Sequence, residues 1–106
     1  MLNIAMEYSL KKFEENELNI EIFLMTALSP ICKEDLTYIL DKGTYFVTLE
    51  EGTKSFGWGA EIVASIHEYK DNVKTKRCAA EDSIIPSSEI GENTVLPSLS
   101  TLINTI

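Results

Sequence analysis

The chain has 106 residues, of which 44% are hydrophobic, so it is long enough to form one domain with a buried core. Its 17 acidic and 9 basic residues give a net charge of -8. This balance argues against nucleic acid as a partner, because phosphate binding needs clustered Lys and Arg. A cationic protein partner would suit the acidic surface, although ordinary solubility explains the charge better.

Targeting and membrane signals are not seen in the sequence. No apolar run approaches the roughly 20 residues that a membrane span needs. The first five residues have neither a basic region nor a cleavage pattern, so no signal peptide is expected. Cys32 and Cys78 lie far apart without metal-like spacing, which favours two reduced thiols in a cytoplasmic protein.

The first half of the chain predicts helix, strand and helix. The first helix is predicted over residues 3–16, and the run 19–25 is almost continuously apolar, which is typical of a strand covered on both faces. After a break at Ser29-Pro30, a second helix is predicted over 33–41, with Gly43 as its C-terminal cap. The face of the first helix that we expect to point inward carries Leu2, Ala5, Met6, Leu10 and Phe13.

The chain is organised around residues 44–69. The apolar and β-branched run 44–49 predicts a strand, and residues 50–55 form a short polar connector. A helix then opens at Gly57-Trp58-Gly59 and runs to Tyr69 with helical spacing of its apolar residues. Strand, connector and helix together make half of a βαβ unit.

The last third of the chain predicts one more strand and one more helix. Residues 73–79 alternate charged and less polar positions, which favours an edge strand. A polar loop covers 80–93, and a helix is predicted over 95–106 with Pro97 in its first turn. The order α-β-α-β-α-β-α indicates an α/β fold of three layers, α/β/α, with a mostly parallel sheet of three strands.

Two motifs in register carry a family resemblance. Val47-Thr48-Leu49-Glu50-Glu51-Gly52 is followed, at the family's spacing, by Gly57-Trp58-Gly59-Ala60-Glu61-Ile62. This pattern resembles the C-terminal domain of the transketolase-like proteins. It is most similar to the beta subunit of the thiamine-dependent 2-oxoacid dehydrogenases of the pyruvate and branched-chain type, which carry V-T-V-E-E-G and then G-x-G-A-E-I. The similarity continues downstream at Arg77, Asp82, Pro86, Glu92 and Pro97.

The sequence also departs from the family pattern. The family's Asp before the second helix is Cys32 here, and the Gly of its R-V-x-G motif is Ala80. The family domain has strands before its first helix, whereas this sequence begins at that helix. The resemblance therefore implies a transketolase C-terminal-domain-like fold over residues 1–106 that lacks the family's first strand or strands, in a chain that is either a fragment or a standalone protein.

The resemblance implies an assembly or interface domain of a 2-oxoacid dehydrogenase beta subunit. The parent enzyme would decarboxylate a 2-oxoacid with thiamine diphosphate and Mg²⁺, while this chain would bind neither cofactor and carry no catalytic residue. Its partners would be other subunits of the complex and the acyltransferase core, in a homo- or hetero-oligomer. The alternative is a standalone, non-enzymatic interaction or dimerisation module. The residues expected to form the interface or the structural motif are Glu50, Glu51, Gly52, Gly57, Trp58, Gly59, Glu61, Asp82, Pro86 and Glu92.

Each of these residues also has a plainer interpretation. Glu50 and Glu51 could do acid–base work or bind a cation, but no nucleophile or third ligand is near in sequence, so Glu51 is expected to brace the loop while Glu50 is solvated. Gly57 and Gly59 could present amides to an anion, although close helix–strand packing explains them better. Trp58 fits the core and an interface equally well. The single histidine, His67, predicts a hydrogen-bonded or water-facing ring rather than a catalytic one.

Overall fold

The computed structural model describes residues 1–25, 30–82 and 96–106. Two parallel strands, β1 and β2, form the sheet of the described part of the chain, and α3 connects them, so the predicted βαβ unit is confirmed. Tyr45 lies opposite Lys74, and Leu49 lies opposite Cys78. The elements in chain order are α1 (Leu2–Asn16), α2 (Lys33–Leu40), β1 (Tyr45–Thr53), α3 (Trp58–Tyr69), β2 (Lys74–Ala80) and α4 (Leu99–Thr105).

The sheet has helices on both faces, which confirms the three-layer α/β/α prediction. On one face, α2 and α3 bury Leu36, Leu40, Ile62 and Ile66 in a single cluster, against which Phe46 of β1 packs. On the other face, α1 and α4 contribute Tyr8 and Leu102 to a cluster with Cys78 of β2, which Val47 and Leu49 of β1 adjoin. Side chains of a strand alternate between faces, so neighbouring residues of β1 feed two separate cores.

The strand predicted over 19–25 is wrong. Within the described residues this segment joins no ladder, and its Ile22 and Leu24 are 39% and 66% exposed. Ile20 still reaches the cluster of Tyr8 and Leu102, and Phe23 meets the Tyr38 ring edge-on. An apolar run indicates that side chains favour burial, but a strand also needs a neighbour for its backbone hydrogen bonds, and the described sheet places none beside this segment.

The predicted inward face of α1 is wrong as well. Leu10 and Phe13 are 60% and 56% exposed, whereas Tyr8 is 5% exposed and Ile4 packs beside it. The helix has two apolar sides, and the side of Ile4 and Tyr8 is the one that meets α4 and the sheet. Tyr8 was missed because a tyrosine between two polar residues, Glu7 and Ser9, contributes less to the periodic pattern than leucine or phenylalanine.

The C-terminus of α2 is capped from another element. Gly43 was predicted as the cap, but the capping residue is Asp41, and Gly43 does not adopt a positive φ. Instead, the Lys70 ammonium at the end of α3 donates to the carbonyl oxygens of Leu40 and Gly43, the latter at 2.8 Å. A cation at a helix C-terminus satisfies carbonyl groups that have no partner within the helix.

Replacing Lys70 by Met should lower the free energy of unfolding by about 1–2 kcal/mol, since a part-buried charged donor serves two carbonyls. The aliphatic part of the side chain would still pack in the methionine variant, so the loss of stability would measure the hydrogen bonds. Chemical denaturation of Lys70→Met measures it, with Lys42→Met as the control because Lys42 is exposed. Equal effects of the two variants would contradict the capping role.

The last helix begins later than expected. It was predicted from Val95, which lies outside the described residues, and it is observed from Leu99. Ser98 is the N-cap, and its Oγ accepts a hydrogen bond from the Thr101 amide at 3.2 Å. Pro97 therefore precedes the cap instead of occupying the first turn. None of the described helices is long and apolar enough to cross a membrane.

Candidate functional site at the β1–α3 corner

The pair of adjacent carboxylates, Glu50 and Glu51, lies within β1. The connector predicted over 50–55 is shorter than expected, because β1 extends to Thr53, with an irregularity in the register between Leu49 and Thr53. The Lys54 amide then donates to the Ala80 carbonyl at 3.1 Å, so the end of β1 remains fastened to β2. Since successive side chains alternate across a strand, Glu50 and Glu51 point to opposite faces.

Glu50 is an internal brace. Both of its carboxylate oxygens accept from the Gly59 amide, at 3.1 Å each, and Oε1 lies 3.3 Å from Nη2 of Arg77 on β2. Its side chain is 11% exposed, and that of Arg77 is 20% exposed. The carboxylate occupies the N-terminus of α3, where amides lack partners within the helix and negative charge is favoured.

The roles expected for the two glutamates are reversed. Glu51 was expected to brace the loop, but its side chain is 65% exposed, with the N-terminal amine of Met1 4.0 Å away. Glu50 was expected to be solvated and is instead enclosed between β1, α3 and β2. Arg77 belongs to this site and was not among the predicted site residues. The sequence did contain a signal for it. Arg77 is charged, yet the alternation of a strand places it on the opposite face from Lys74 and Lys76.

The two glycines permit the close approach of α3 to β1. A Cβ at Gly57 would lie 2.3 Å from the Thr53 carbonyl oxygen, and a Cβ at Gly59 would lie 2.8 Å from both Glu50 Oε1 and Thr48 Oγ1. Close packing, rather than anion binding, therefore accounts for the Gly-x-Gly motif. The Gly59 amide that an anion would need is already taken by Glu50.

The remaining predicted residues divide between core and surface. Trp58 is partly buried against the cluster of α2 and α3, so it serves the core. Gly52 and Glu61 are exposed, and His67 pairs with Thr75 Oγ1 at 3.1 Å, consistent with a structural ring. Pro86 and Glu92 lie outside the described residues. The structure thus gathers Glu50, Gly57, Gly59 and Asp82 at one corner and leaves Glu51, Gly52 and Glu61 facing outward.

Asp82 secures the turn that leads into α3. Its carboxylate accepts from the Ser55 amide at 2.8 Å and from the Ser55 hydroxyl at 2.6 Å. These hydrogen bonds favour the ionised form and hold the pKa of Asp82 below its usual range. Because the carboxylate is bound in the folded chain, its contribution to stability is present above about pH 4 and is lost as the pH falls through the lowered pKa.

Replacing Asp82 by Ala should release this turn without unfolding the domain. We expect faster hydrogen exchange of the Ser55 amide and a weaker decline of stability below about pH 4 than in the wild type. Carboxyl titration by NMR checks the same point, since Ser55→Ala should raise the pKa of Asp82 toward its ordinary value. An unchanged pKa in Ser55→Ala would contradict the assigned cause.

Phe56 is a second residue of this corner, besides Arg77, that sequence analysis missed. It has a φ of 58°, which is uncommon for a residue other than glycine, and its side chain is fully exposed. It stands between Ser55, which Asp82 holds, and Gly57, which starts α3. The available signal was a large aromatic residue between the polar connector of residues 50–55 and the glycines that open α3.

The chemistry open to this corner is structural. Among the described residues, no group of three His, Cys, Asp or Glu side chains is arranged to hold a metal ion. Cys78 is buried, and burial raises the pKa of its thiol, which makes it a poor nucleophile. Glu50 is committed to Gly59 and Arg77, so it has no free basic oxygen directed at a substrate.

Comparisons with known proteins identify the family of the chain. The 1-deoxy-D-xylulose-5-phosphate synthase of Clostridium tetani is 30% identical to the chain over 78 residues, which are 72% of this chain and 13% of the synthase. The chain thus spans about one eighth of the length of that relative. No solved structure matches the chain. The family model described as transketolase, C-terminal domain, matches residues 1–101, and the chain belongs to that family.

Proposed function

We propose that this chain is the C-terminal assembly domain of a thiamine-dependent enzyme and carries no catalytic group of its own. The observation that supports this most directly is that the charged side chains of the corner bind other groups of the same domain. Glu50 binds Gly59 and Arg77, and Asp82 binds Ser55, so the residues that would attract a catalytic interpretation hold the fold together. What the corner offers to its surroundings is a surface on which the side chain of Phe56 is fully exposed.

The specific parent that the motifs favour is the beta subunit of a 2-oxoacid dehydrogenase. Its support is the pair V-T-x-E-E-G and G-x-G-A-E-I, whose spacing is explained by the contact of Glu50 with the Gly59 amide. The partners would then be other subunits of the complex and its acyltransferase core. A synthase of the Clostridium tetani type is the second candidate, favoured by the 30% identity over 78 residues.

A domain exchange distinguishes the two parents. The chain would replace the C-terminal domain of a dehydrogenase beta subunit in one chimera and that of the Clostridium tetani synthase in another. Assembly and turnover restored only in the first chimera would support the dehydrogenase, and restoration only in the second would support the synthase. Failure of both, with each chimera folded, would contradict an assembly role in either enzyme.

Thiamine diphosphate and Mg²⁺ do not fit the β1–α3 corner. A diphosphate would need the α3 amides, but the Glu50 carboxylate holds the Gly59 amide and would repel a second anion. Even a Cβ atom added at Gly57 would collide with Thr53 O and Glu50 Oε1, so a diphosphate could not approach the α3 amides there for steric reasons as well. We therefore expect isothermal titration of the chain with thiamine diphosphate and Mg²⁺ to show no micromolar binding. Turnover of a 2-oxoacid by the chain alone would overturn the proposal.

The alternative function is a standalone interaction module. The exposed apolar side chains of α1 and of the segment that follows it favour this candidate, because such side chains mark contact surfaces. The intact mass of the native protein, captured from source cells, decides between the two: 11.9 kDa supports the module, and a much larger mass supports the domain of a longer enzyme.

A further inference from the structure

A groove opens between the segment that follows α1 and helix α2. Its volume is about 310 Å³, which is at the lower end of the range for small-molecule sites. Most of its lining is apolar, and among the described residues that line it Asp35 carries the one charged side chain. We call it the α2 groove, and its lining includes Ile22, Phe23, Met25, Asp35, Tyr38 and Ile39.

Two aromatic rings form a corner of the α2 groove. The rings of Phe23 and Tyr38 meet edge to face, with their centroids 6.0 Å apart and their planes at 84°. Perpendicular rings give two walls against which the methyl groups of a quaternary ammonium ion can pack, and the π-face of each ring attracts positive charge. The Tyr38 ring already attracts one cation, since the Lys42 ammonium lies 4.6 Å from its centroid. Lys42 itself does not line the groove.

Asp35 determines the sign of the charge that the α2 groove accepts. It lies three positions before Tyr38 on α2, so the two side chains are neighbours on the same side of the helix. Glu34 adds a second negative charge in the first turn, whereas neither Lys33 nor Lys42 lines the groove. An anion would be repelled at this place, and a cation would be attracted by the carboxylate and by the net charge of -8.

We propose that the α2 groove binds a small quaternary ammonium ion. The methyl groups of such an ion would meet the apolar lining and the aromatic corner, while its charge would lie beside Asp35. Tyr38 is 58% exposed, so a ligand can still cover much of its ring. This inference goes beyond the proposed assembly function and does not depend on it, because the residues that line the groove are not those of the β1–α3 corner.

Titration of the 106-residue chain with choline, followed by NMR, tests this site. The signals of Phe23, Asp35 and Tyr38 should shift together, with a dissociation constant on the order of 1 mM, because the groove is open and its aromatic contacts are partly in water. The neutral analogue 3,3-dimethylbutanol, in which carbon replaces the nitrogen, has the same shape without the charge. It should bind about 10-fold more weakly than choline.

Variants of the groove separate the ring from the carboxylate. Tyr38→Ala should weaken choline binding by about 10-fold, whereas Tyr38→Phe keeps the ring and should stay within about twofold of the wild type. Asp35→Asn should weaken binding by about fivefold, because the attraction of the carboxylate is lost. Tyr69→Ala is the matched control: Tyr69 is 56% exposed and also has a lysine ammonium over its ring, but it lies on α3 outside the groove.

Each outcome of the titration either supports or overturns the proposal. The absence of shifts up to about 10 mM choline, or shifts that map to other residues, overturns it. Equal binding of the neutral analogue also overturns it, because the groove would then recognise apolar surface without charge. Unchanged binding in Tyr38→Ala, or weakened binding in Tyr69→Ala, would place the ligand elsewhere. Circular dichroism checks that each variant is folded, so that a loss of binding is not a loss of structure.

Discussion

Replacing Glu50 by Gln is expected to lower the free energy of unfolding by about 2–3 kcal/mol. The Arg77 guanidinium would keep its largely buried position but lose the carboxylate 3.3 Å away, and an uncompensated charge in such a place is costly. Gln would also offer a single neutral acceptor to the Gly59 amide in place of two charged oxygens. Exposed ion pairs contribute at most about 1 kcal/mol, so the burial of this pair decides the magnitude.

Glu51→Gln is the matched control for this experiment. It makes the same chemical change one residue away, at a side chain that is 65% exposed, and should alter stability by no more than about 0.5 kcal/mol. Urea denaturation of the two variants gives the comparison. Equal losses of stability in the two variants would show that the Glu50 contact is not the brace that the geometry indicates. In that case, adding Arg77→Met to the Glu50→Gln variant should restore no stability.

Periodicity predicted most of the architecture. The helices over 3–16 and 33–41 and the glycine-opened helix were found within a residue or two, because each shows an uninterrupted pattern that local sequence determines. The parallel pairing of β1 and β2 followed from the helix between them, since such a connection requires a crossover. These features depend on residues that are close in sequence, so they can be predicted from one sequence alone.

The failures share a different cause. The run 19–25 is apolar enough for a strand, but a ladder depends on a second segment that lies elsewhere in the sequence. The exposed and buried sides of α1 are both apolar, and only the position of α4 selects Tyr8 for the core. The same holds for α3, in which the structure buries Ile62 and Ile66 while Ala64 and His67 are exposed.

The site shows the same limit at the level of single side chains. The sequence displays two adjacent glutamates, and their alternation implies opposite faces, yet nothing local says which face meets α3. Arg77, distant in sequence, decides it by pairing with Glu50. Phe56 was passed over because an aromatic side chain ordinarily favours burial, whereas its positive φ and its full exposure are visible only in the structure.

The second large effect is expected at Gly57. Gly57→Ala should destabilise the domain by about 3 kcal/mol, because the new methyl group would lie 2.3 Å from the Thr53 carbonyl oxygen and 2.8 Å from Glu50 Oε1. The φ of -74° is open to any residue, so the loss would come from contact alone. The Thr53 carbonyl lies next to the hydrogen bond from the Lys54 amide to the Ala80 carbonyl, which ties this part of β1 to β2 and limits how far the carbonyl can move.

Gly43→Ala provides the control, because an added Cβ there meets nothing within 4 Å and the φ of Gly43 is not positive. That variant should be neutral or stabilising by up to about 1 kcal/mol, since alanine restricts the unfolded chain more than glycine does. Thermal unfolding of the two variants therefore separates steric closure from the general effect of removing a glycine. A tolerated Gly57→Ala would mean that α3 can withdraw from β1, which would contradict the steric closure at Gly57.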